Sequence, residues 1–329
     1  MNELTSLTPS QALTTTARVS KNVPLADKNW FQTGGTAEWY AEPTTSQELS
    51  HLIIAAQQTR MPVTVIGMGA NILIADEGIK GLVIRPALIS IAHDASSDQN
   101  TYVTAQAGAS FDDLIEYCLN NNILGLEEFS GIPGTVGGSV FINIHYFQWL
   151  LSQFLTTATV VEKTTGIIHT VDNAWFLFGY NYSKLHTKEH ILIDATFRLR
   201  SASDLECAYA RGRRDEIKRH RAQRYPIQRT CGSFFRNFAP KEITIMSNGK
   251  LMIYVAYYLD KLGLKGQLTS GKAVVSHQHA NMIVTQDGAT TADVINLARM
   301  MQERVYETFS IMPQPECRLL GFDTYPLLS

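Results

Sequence analysis

Residues 131–139 read Gly-Ile-Pro-Gly-Thr-Val-Gly-Gly-Ser, with four glycines and one proline inside eight residues. Proline fixes its own φ and glycine admits conformations closed to other residues, so this run dictates an unusual backbone path. Amides on such a path can line a pyrophosphate or the polar edge of a flat ring, because no Cβ stands in the way. A second bend, Gly67-Met68-Gly69-Ala70-Asn71, follows directly on the apolar run at 63–66, and Ile72 resumes the apolar pattern. A third and weaker one is Thr33-Gly34-Gly35-Thr36. None of the three is a GxGxxG turn followed by a helix and an acidic residue, which argues against a Rossmann dinucleotide site. Any one of these bends suits a tight structural turn; three in one chain favour a bound dinucleotide and leave its identity open. The candidate cofactor-binding residues are Gly67, Gly69, Ala70, Asn71 and Ile72, with Gly131, Ile132, Pro133, Gly134, Thr135, Gly137, Gly138 and Ser139.

Around these bends the hydrophobic periodicity changes along the chain. Residues 46–60 repeat at helical spacing, with Ser46 as the expected N-cap, and short apolar runs on either side read as buried strands. This βαβ-like texture predicts an α/β lobe over 21–86. From 87 to 203 strand texture dominates, interrupted by a helix over 111–122 capped by Ser110. Within it Ile191, Ile193, Ala195 and Phe197 alternate, which predicts one buried strand face. A third block, 204–329, opens with a basic helix near 207–224 whose charges fit a solvated face and, less often, a pyrophosphate contact. Two more helical stretches follow it. Residues 1–20 are polar and lack the apolar core of a signal peptide, so a poorly ordered tail is expected there.

The whole-chain balance excludes several function classes. A formal net charge of −2 gives no electrostatic grip on nucleic acid or an acidic membrane surface. The longest apolar stretch, 139–155, is broken by Asn143, His145, Gln148 and Gln153, so no membrane span is expected. The four cysteines form no CxxC pair, which argues against zinc and for a reducing, cytoplasmic setting.

The ordered segments 29–39, 65–74, 125–143, 231–237, 259–284 and 315–321 resemble the UDP-N-acetylenolpyruvoylglucosamine reductases. Cys-Gly-Ser-Phe-Phe-Arg-Asn at 231–237 and the two segments Gly-Ile-Pro-Gly-Thr-Val-Gly-Gly and Gly-Leu-Lys-Gly carry most of the specificity, and the likeness runs from about residue 20 to the C-terminus. The resemblance implies an α+β chain: a two-lobed FAD-binding domain of the vanillyl-alcohol-oxidase (PCMH) type plus an α/β substrate-binding domain. It implies FAD as cofactor, NADPH as reductant, a UDP-sugar as substrate, and a monomer.

The resemblance also assigns roles. Ser233 matches the proton donor and Glu316 the carboxylate that stabilises the polarised enol ether. Arg236 and Asn237 match positions near the diphosphate and the enolpyruvyl carboxylate, where a guanidinium offers two parallel donors. Tyr180 is a substrate contact, and Lys265 is open between a structural role and the diphosphate. His279 reads as a structural histidine and Cys231 as packing, since no base stands at a recognisable spacing from the thiol.

Three departures stand out. Where the family has Tyr-Arg-x-Ser, the chain has Tyr180-Asn181-Tyr182-Ser183, so a catalytic position carries an amide donor without fixed charge. The glycine-rich run continues into Asn143-Ile144-His145-Tyr146-Phe147 in place of a small Gly/Ala turn. A Gln-Pro step expected before Cys231 is missing. An active reductase in which Tyr182, His145 or His186 compensates for Asn181 is the first reading. A flavin-binding homologue without reductase activity and an oxidase acting on another sugar are the others. Reoxidation of the reduced flavin by substrate, or by oxygen, separates them.

Overall fold

The structure, a computed structural model, describes residues 19–95, 100–247 and 249–329. Most of the expected N-terminal tail lies outside the described residues. The chain divides into two compact units that are discontinuous in sequence. The first comprises the chain up to Asn22 with Glu38–Met68 and Lys80–Arg219; the second comprises Val23–Ala37, Gly69–Ile79 and His220–Ser329.

In the first unit one sheet has the strand order Val19–Pro24, Thr36–Ala41, Ile79–Ile84, Val63–Val65. Val63–Val65 runs parallel to Ile79–Ile84, but the connection between them carries the Gly67–Asn71 bend and the strand Ile72–Ile74 in place of a helix. The helix Ser46–Gln58 lies before this pair and buries Leu49, Leu52, Ile53, Ala55 and Ala56. Its cap is Thr45, one residue before the predicted Ser46: the Thr45 hydroxyl accepts from the Glu48 amide. A capping hydroxyl has to reach an amide near the first turn from an extended residue, and Thr45 has that conformation. The expected helix over 111–122 spans Phe111–Asn120 with Ser110 as its cap.

The second sheet of this unit is antiparallel, ordered Ile168–Asp172, Leu155–Glu162, His190–Ser201, Asn100–Gln106, Ile91–Ala95. Here the predicted single face is wrong. Thr159 pairs with Asp194 but Val160 pairs with Leu192, leaving Ile193 as an extra residue in a β-bulge. An extra residue flips the side-chain parity of everything beyond it. Ile191 and Ile193 therefore enter the core around Trp39 and Leu52, while Leu192, Ala195, Phe197 and Leu199 enter the core around Phe111 and Phe129. Asp194 Oδ1 accepts from the Thr159 amide at 3.2 Å beside the bulge.

The basic helix spans Asp204–Arg224, and four of its cations meet acidic side chains of other elements in place of the solvated face expected. Arg211 pairs with Glu116 at 2.7 Å, Arg213 with Glu128 at 3.0 Å, and Lys218 with Asp112 at 3.0 Å. The buried Arg214 bridges Asp112 and Glu116. These four cations are committed to a charged seam with the acidic face of Phe111–Asn120 and the turn at Glu127–Phe129.

The second unit packs helices Val255–Lys261 and Thr291–Phe309 with an antiparallel three-stranded meander, Thr269–Ser270, Ala273–Val275 and Ile283–Thr285. Its core gathers Phe31, Phe234, Phe235, Tyr258, Leu297 and Met301. Arg318–Leu320 runs parallel to Ile72–Ile74, drawing the C-terminal segment to the residues after the Gly67–Asn71 bend. Asp76 closes the arrangement: its two oxygens accept from the Thr291 and Ala292 amides at 2.8 and 2.9 Å, at the start of the long helix. A carboxylate at a helix N-terminus satisfies otherwise orphaned donors and complements the dipole.

Candidate active site

In the first unit the long glycine-rich run forms a turn into the short helix Val136–Phe141. The helix start is already occupied. The Val136 amide donates to Ala109 O and the Gly137 amide to Ala107 O, at 2.9 and 2.8 Å, and the Thr135 hydroxyl accepts from the Gly138 amide at 3.2 Å. What remains is the turn before it: the Gly134 and Thr135 amides have no acceptor among the described residues. The two predicted bends meet here, since a Cβ on Gly67 would lie 2.6 Å from Thr135 Oγ1.

The division into units falls inside the other bend, after Met68. In the second unit Gly69 has φ +75°, and a Cβ there would stand 2.3 Å from Lys28 O and 2.5 Å from Asn29 Cα. No side chain fits that approach. Beside it Asn71 carries a buried Oδ1 that accepts no hydrogen bond. Asn29, which sequence reasoning passed over, braces the region by donating from Nδ2 to Leu25 O and Thr33 O at 2.7 and 2.8 Å. The weaker Thr33-Gly34-Gly35-Thr36 run is explained by packing alone: the Gly35 amide donates to Ala75 O, and a Cβ on Gly35 would collide with Asp76 O at 2.3 Å.

The second unit also brings Ser233 and Glu316 into adjoining strands of chain. Phe234 O accepts from the Glu316 amide at 2.8 Å and the Cys317 amide at 3.2 Å. Phe235 bridges Pro315, and Ser233 bridges Met282. Asn281 secures this segment from the other side and is a positioning residue that the sequence reading missed. Its Nδ2 donates to Phe235 O at 2.7 Å, its Oδ1 accepts from the Phe235 amide at 3.1 Å, and its own carbonyl accepts from Phe234. The signal in the sequence is the His-Gln-His-Ala-Asn run at 277–281, which also holds His279. His279 is a structural histidine: its Nδ1 accepts from the Asn281 amide, and burial holds its pKa below the ordinary value. The Ser233 hydroxyl has no partner among the described residues. Cys231 is buried, and its thiol is pushed well above the usual range by burial, by a hydrogen bond with Cys317 and by the negative charge of Glu316. That is the opposite of an activated nucleophile.

The expected substrate residues are placed differently. Arg236 forms a two-pronged pair with Glu242, at 2.7 and 2.8 Å, and holds that carboxyl down at about 2. Lys265 pairs with Asp260 at 3.0 Å on the surface. Tyr180 and Asn181 belong to the first unit, at the corner of a turn in which Gly179 and Tyr182 exchange backbone hydrogen bonds.

Comparison with known proteins decides the family. A protein from Latilactobacillus sakei subsp. sakei (strain 23K), named UDP-N-acetylenolpyruvoylglucosamine reductase, is 34% identical over 307 residues, covering 93% of this chain and 94% of its own. The chain belongs to the UDP-N-acetylenolpyruvoylglucosamine reductase family. The family's C-terminal domain profile matches residues 223–320, and an FAD binding domain profile matches residues 37–172. A relative of the same name from Listeria monocytogenes serovar 1/2a is 30% identical, covering 93% of this chain and 96% of its own. The crystal structure of the reductase from Thermus caldophilus superposes with a TM-score of 0.74 at 26% identity, covering 93% of this chain and all of that one. Membership in this family bears out the expected fold class, the FAD cofactor and the oxidoreductase class.

The residues present fit a flavin nucleotide. In the first unit the Gly134 and Thr135 amides have no acceptor among the described residues, as a pyrophosphate requires. Among the described residues no helix is long and apolar enough to cross a membrane, and no group of three or more His, Cys, Asp or Glu side chains is placed to hold a metal ion.

Proposed function

We propose that this protein reduces UDP-N-acetylenolpyruvoylglucosamine to UDP-N-acetylmuramate in peptidoglycan precursor synthesis, with NADPH as electron source. Bound FAD would supply the hydride chemistry between the nicotinamide and the enol ether. Gly67, Gly69, Ala70, Asn71 and Ile72, with Gly131, Ile132, Pro133, Gly134, Thr135, Gly137, Gly138 and Ser139, serve the nucleotide, and the amides of Gly134 and Thr135 are left to donate to it. In this reading residues 21–86 and 87–203 serve the flavin and 204–329 the substrate, in a monomer working in the cytoplasm, where NADPH and nucleotide sugars are supplied.

The observation that carries the reading is the Ser233 hydroxyl, half-buried and without a partner among the described residues, one residue before Phe234, whose carbonyl accepts from the Glu316 amide. Hydride addition to one carbon of an enol ether leaves negative charge that spreads toward the carboxylate. Ser233 delivers the proton to the neighbouring carbon, and positioning makes so weak an acid effective. Glu316 stabilises the polarised enol ether, while Arg236 and Asn237 serve the anionic groups of the substrate. For Arg236 this means exchanging the carboxylate of Glu242 for a phosphate or carboxylate of the ligand, anions of the same geometry.

The test is anaerobic. NADPH should bleach the flavin of the purified protein, and the enolpyruvyl nucleotide should restore its colour with formation of UDP-N-acetylmuramate. Ser233→Ala should still bleach with NADPH, while recolouring slows by about 10²–10⁴-fold. Bleaching without recolouring in the native protein would mean a flavin protein that has lost this reaction. Recolouring by oxygen with indifference to the nucleotide would mean an oxidase.

A further inference from the structure

The helix Thr291–Phe309 turns an apolar stripe into the core of the second unit, with Val294, Ala298, Met301 and Val305 on it. Gln302 stands on the same stripe, four residues after Ala298 and three before Val305, and is fully buried. An amide in such a place is unfavourable unless its polar atoms find partners. Here they do. Gln302 Nε2 donates to Pro313 O at 2.8 Å and to Leu328 O at 3.0 Å, and its Oε1 accepts from the Leu328 amide at 3.0 Å. One turn earlier on the helix, Arg299 Nε donates to Pro326 O at 2.6 Å, and Leu327, between these contacts, is buried in the same core. The segment 326–328 is thus strapped along the helix, and one amide joins helix, strap and Pro313.

Pro313 begins a stiff arm. Residues 313–316 read Pro-Gln-Pro-Glu. Each proline holds its own φ and disfavours the helical region for the residue before it, so Met312 and Gln314 are confined as well. From Gln314 onward the arm lies along the Ser233 segment. Gln314 O accepts from the Arg236 amide at 2.9 Å, Pro315 bridges Phe235, and the Glu316 amide donates to Phe234 O. A stretch with so few free torsions passes a displacement at Pro313 on to Glu316 and absorbs little of it.

We propose that Gln302 is a positioning residue for Glu316: with the segment 326–328 as its strap, it fixes the near end of the Pro313–Glu316 arm and so sets where the Glu316 carboxyl stands. This rests on the reading given under Proposed function, in which Glu316 stabilises the polarised enol ether. It gives a buried polar side chain and a distant stretch of chain a part in the second half of the reaction, although neither touches the substrate.

The experiment uses the flavin-loaded full chain and follows the two half-reactions in single turnovers. Gln302→Met keeps the bulk of the side chain and loses all three hydrogen bonds. It should retain flavin and be bleached by NADPH at the native rate, yet be recoloured by saturating nucleotide about 10–100-fold more slowly, the effect of a small misplacement of a catalytic group. A purely structural role would not confine the loss to one half-reaction. In a Glu316→Gln background the same substitution should slow recolouring by no more than about 2-fold, because no carboxylate is left to place. Arg299→Met, which frees only Pro326, should slow recolouring by about 3–10-fold, and it carries the test if Gln302→Met does not fold. Recolouring at the native rate in the variant that folds would overturn the proposal. So would a loss in Gln302→Met that multiplies in full with that of Glu316→Gln. If the native protein is bleached by NADPH yet is not recoloured by the nucleotide, the proposed reaction itself fails and the role of Gln302 with it, an outcome distinct from either of those.

Discussion

The Thr135 hydroxyl sits where a side chain on Gly67 would begin, 2.6 Å from the position of a Cβ there. The same hydroxyl caps the Gly138 amide, so the two glycine-rich bends and the start of the helix at Val136 share one small contact. Gly67→Ala should therefore push Thr135 aside and cost about 1–3 kcal/mol as overpacking. The check is the flavin-to-protein absorbance ratio after gel filtration, together with a thermal melt. Full flavin retention at an unchanged melting temperature would show that the bends do not cooperate.

Asn281 has both of its side-chain polar atoms on the peptide of Phe235, two residues from Ser233. Asn281→Ala should leave a buried N–H and a buried C=O unpaired, each worth about 1–3 kcal/mol. We expect a lower melting temperature and slower flavin reoxidation by substrate. Normal reoxidation in a destabilised but folded variant would limit Asn281 to a structural role.

Acid should attack the charged seam of the first unit. Burial pulls the Asp112 carboxyl upward, but hydrogen bonds and charge from Arg214 and Lys218 outweigh it and hold the group below its usual range. Glu116 is likewise held down, chiefly by the hydrogen bond from Arg211. For carboxyls depressed in the folded state, the stabilisation is present above the unfolded pKa, about 4, and disappears as pH falls through the lower folded value. Arg214→Met should cost roughly 1–3 kcal/mol at pH 7, since the carboxylates are partly screened by solvent, and should flatten the fall in melting temperature between about pH 5 and 2. An acid limb as steep as that of the native protein would contradict this.

All four cysteines are free and buried. Burial raises the Cys118 thiol to about 12 and carries Cys231 well above its ordinary value. The folded protein should resist thiol reagents at neutral pH for hours, and four thiols should react on unfolding. Rapid modification of a single thiol in the native state would revive Cys231 as a reactive group.

Much of this was legible because local rules and global fold agree. The Ser110 cap, the long helices and the glycine-rich bends depend on residues near in sequence. The family pattern pointed to Ser233 and Glu316, and in the structure the Glu316 amide donates to Phe234, the residue after Ser233. What escaped depends on partners distant in sequence. Nothing near Asn281 announces that its amide will clasp Phe235, 46 residues earlier. The fate of Arg214 is set by acids about 100 residues away. The extra residue at Ile193 is invisible to a period-two count, because the count continues to look regular while the strand changes faces.

That bulge leaves the first unit without a natural line of fracture. The strand His190–Ser201 gives Ile191 and Ile193 to one apolar nucleus and Ala195, Phe197 and Leu199 to the other, so neither can come apart while its neighbour stays whole. Removing Ile193 by deletion would restore an even pleat with each half still turned to its own nucleus, at the cost of the burial that Ile193 itself supplies. Damage at that single position would be felt on both sides of the sheet at once.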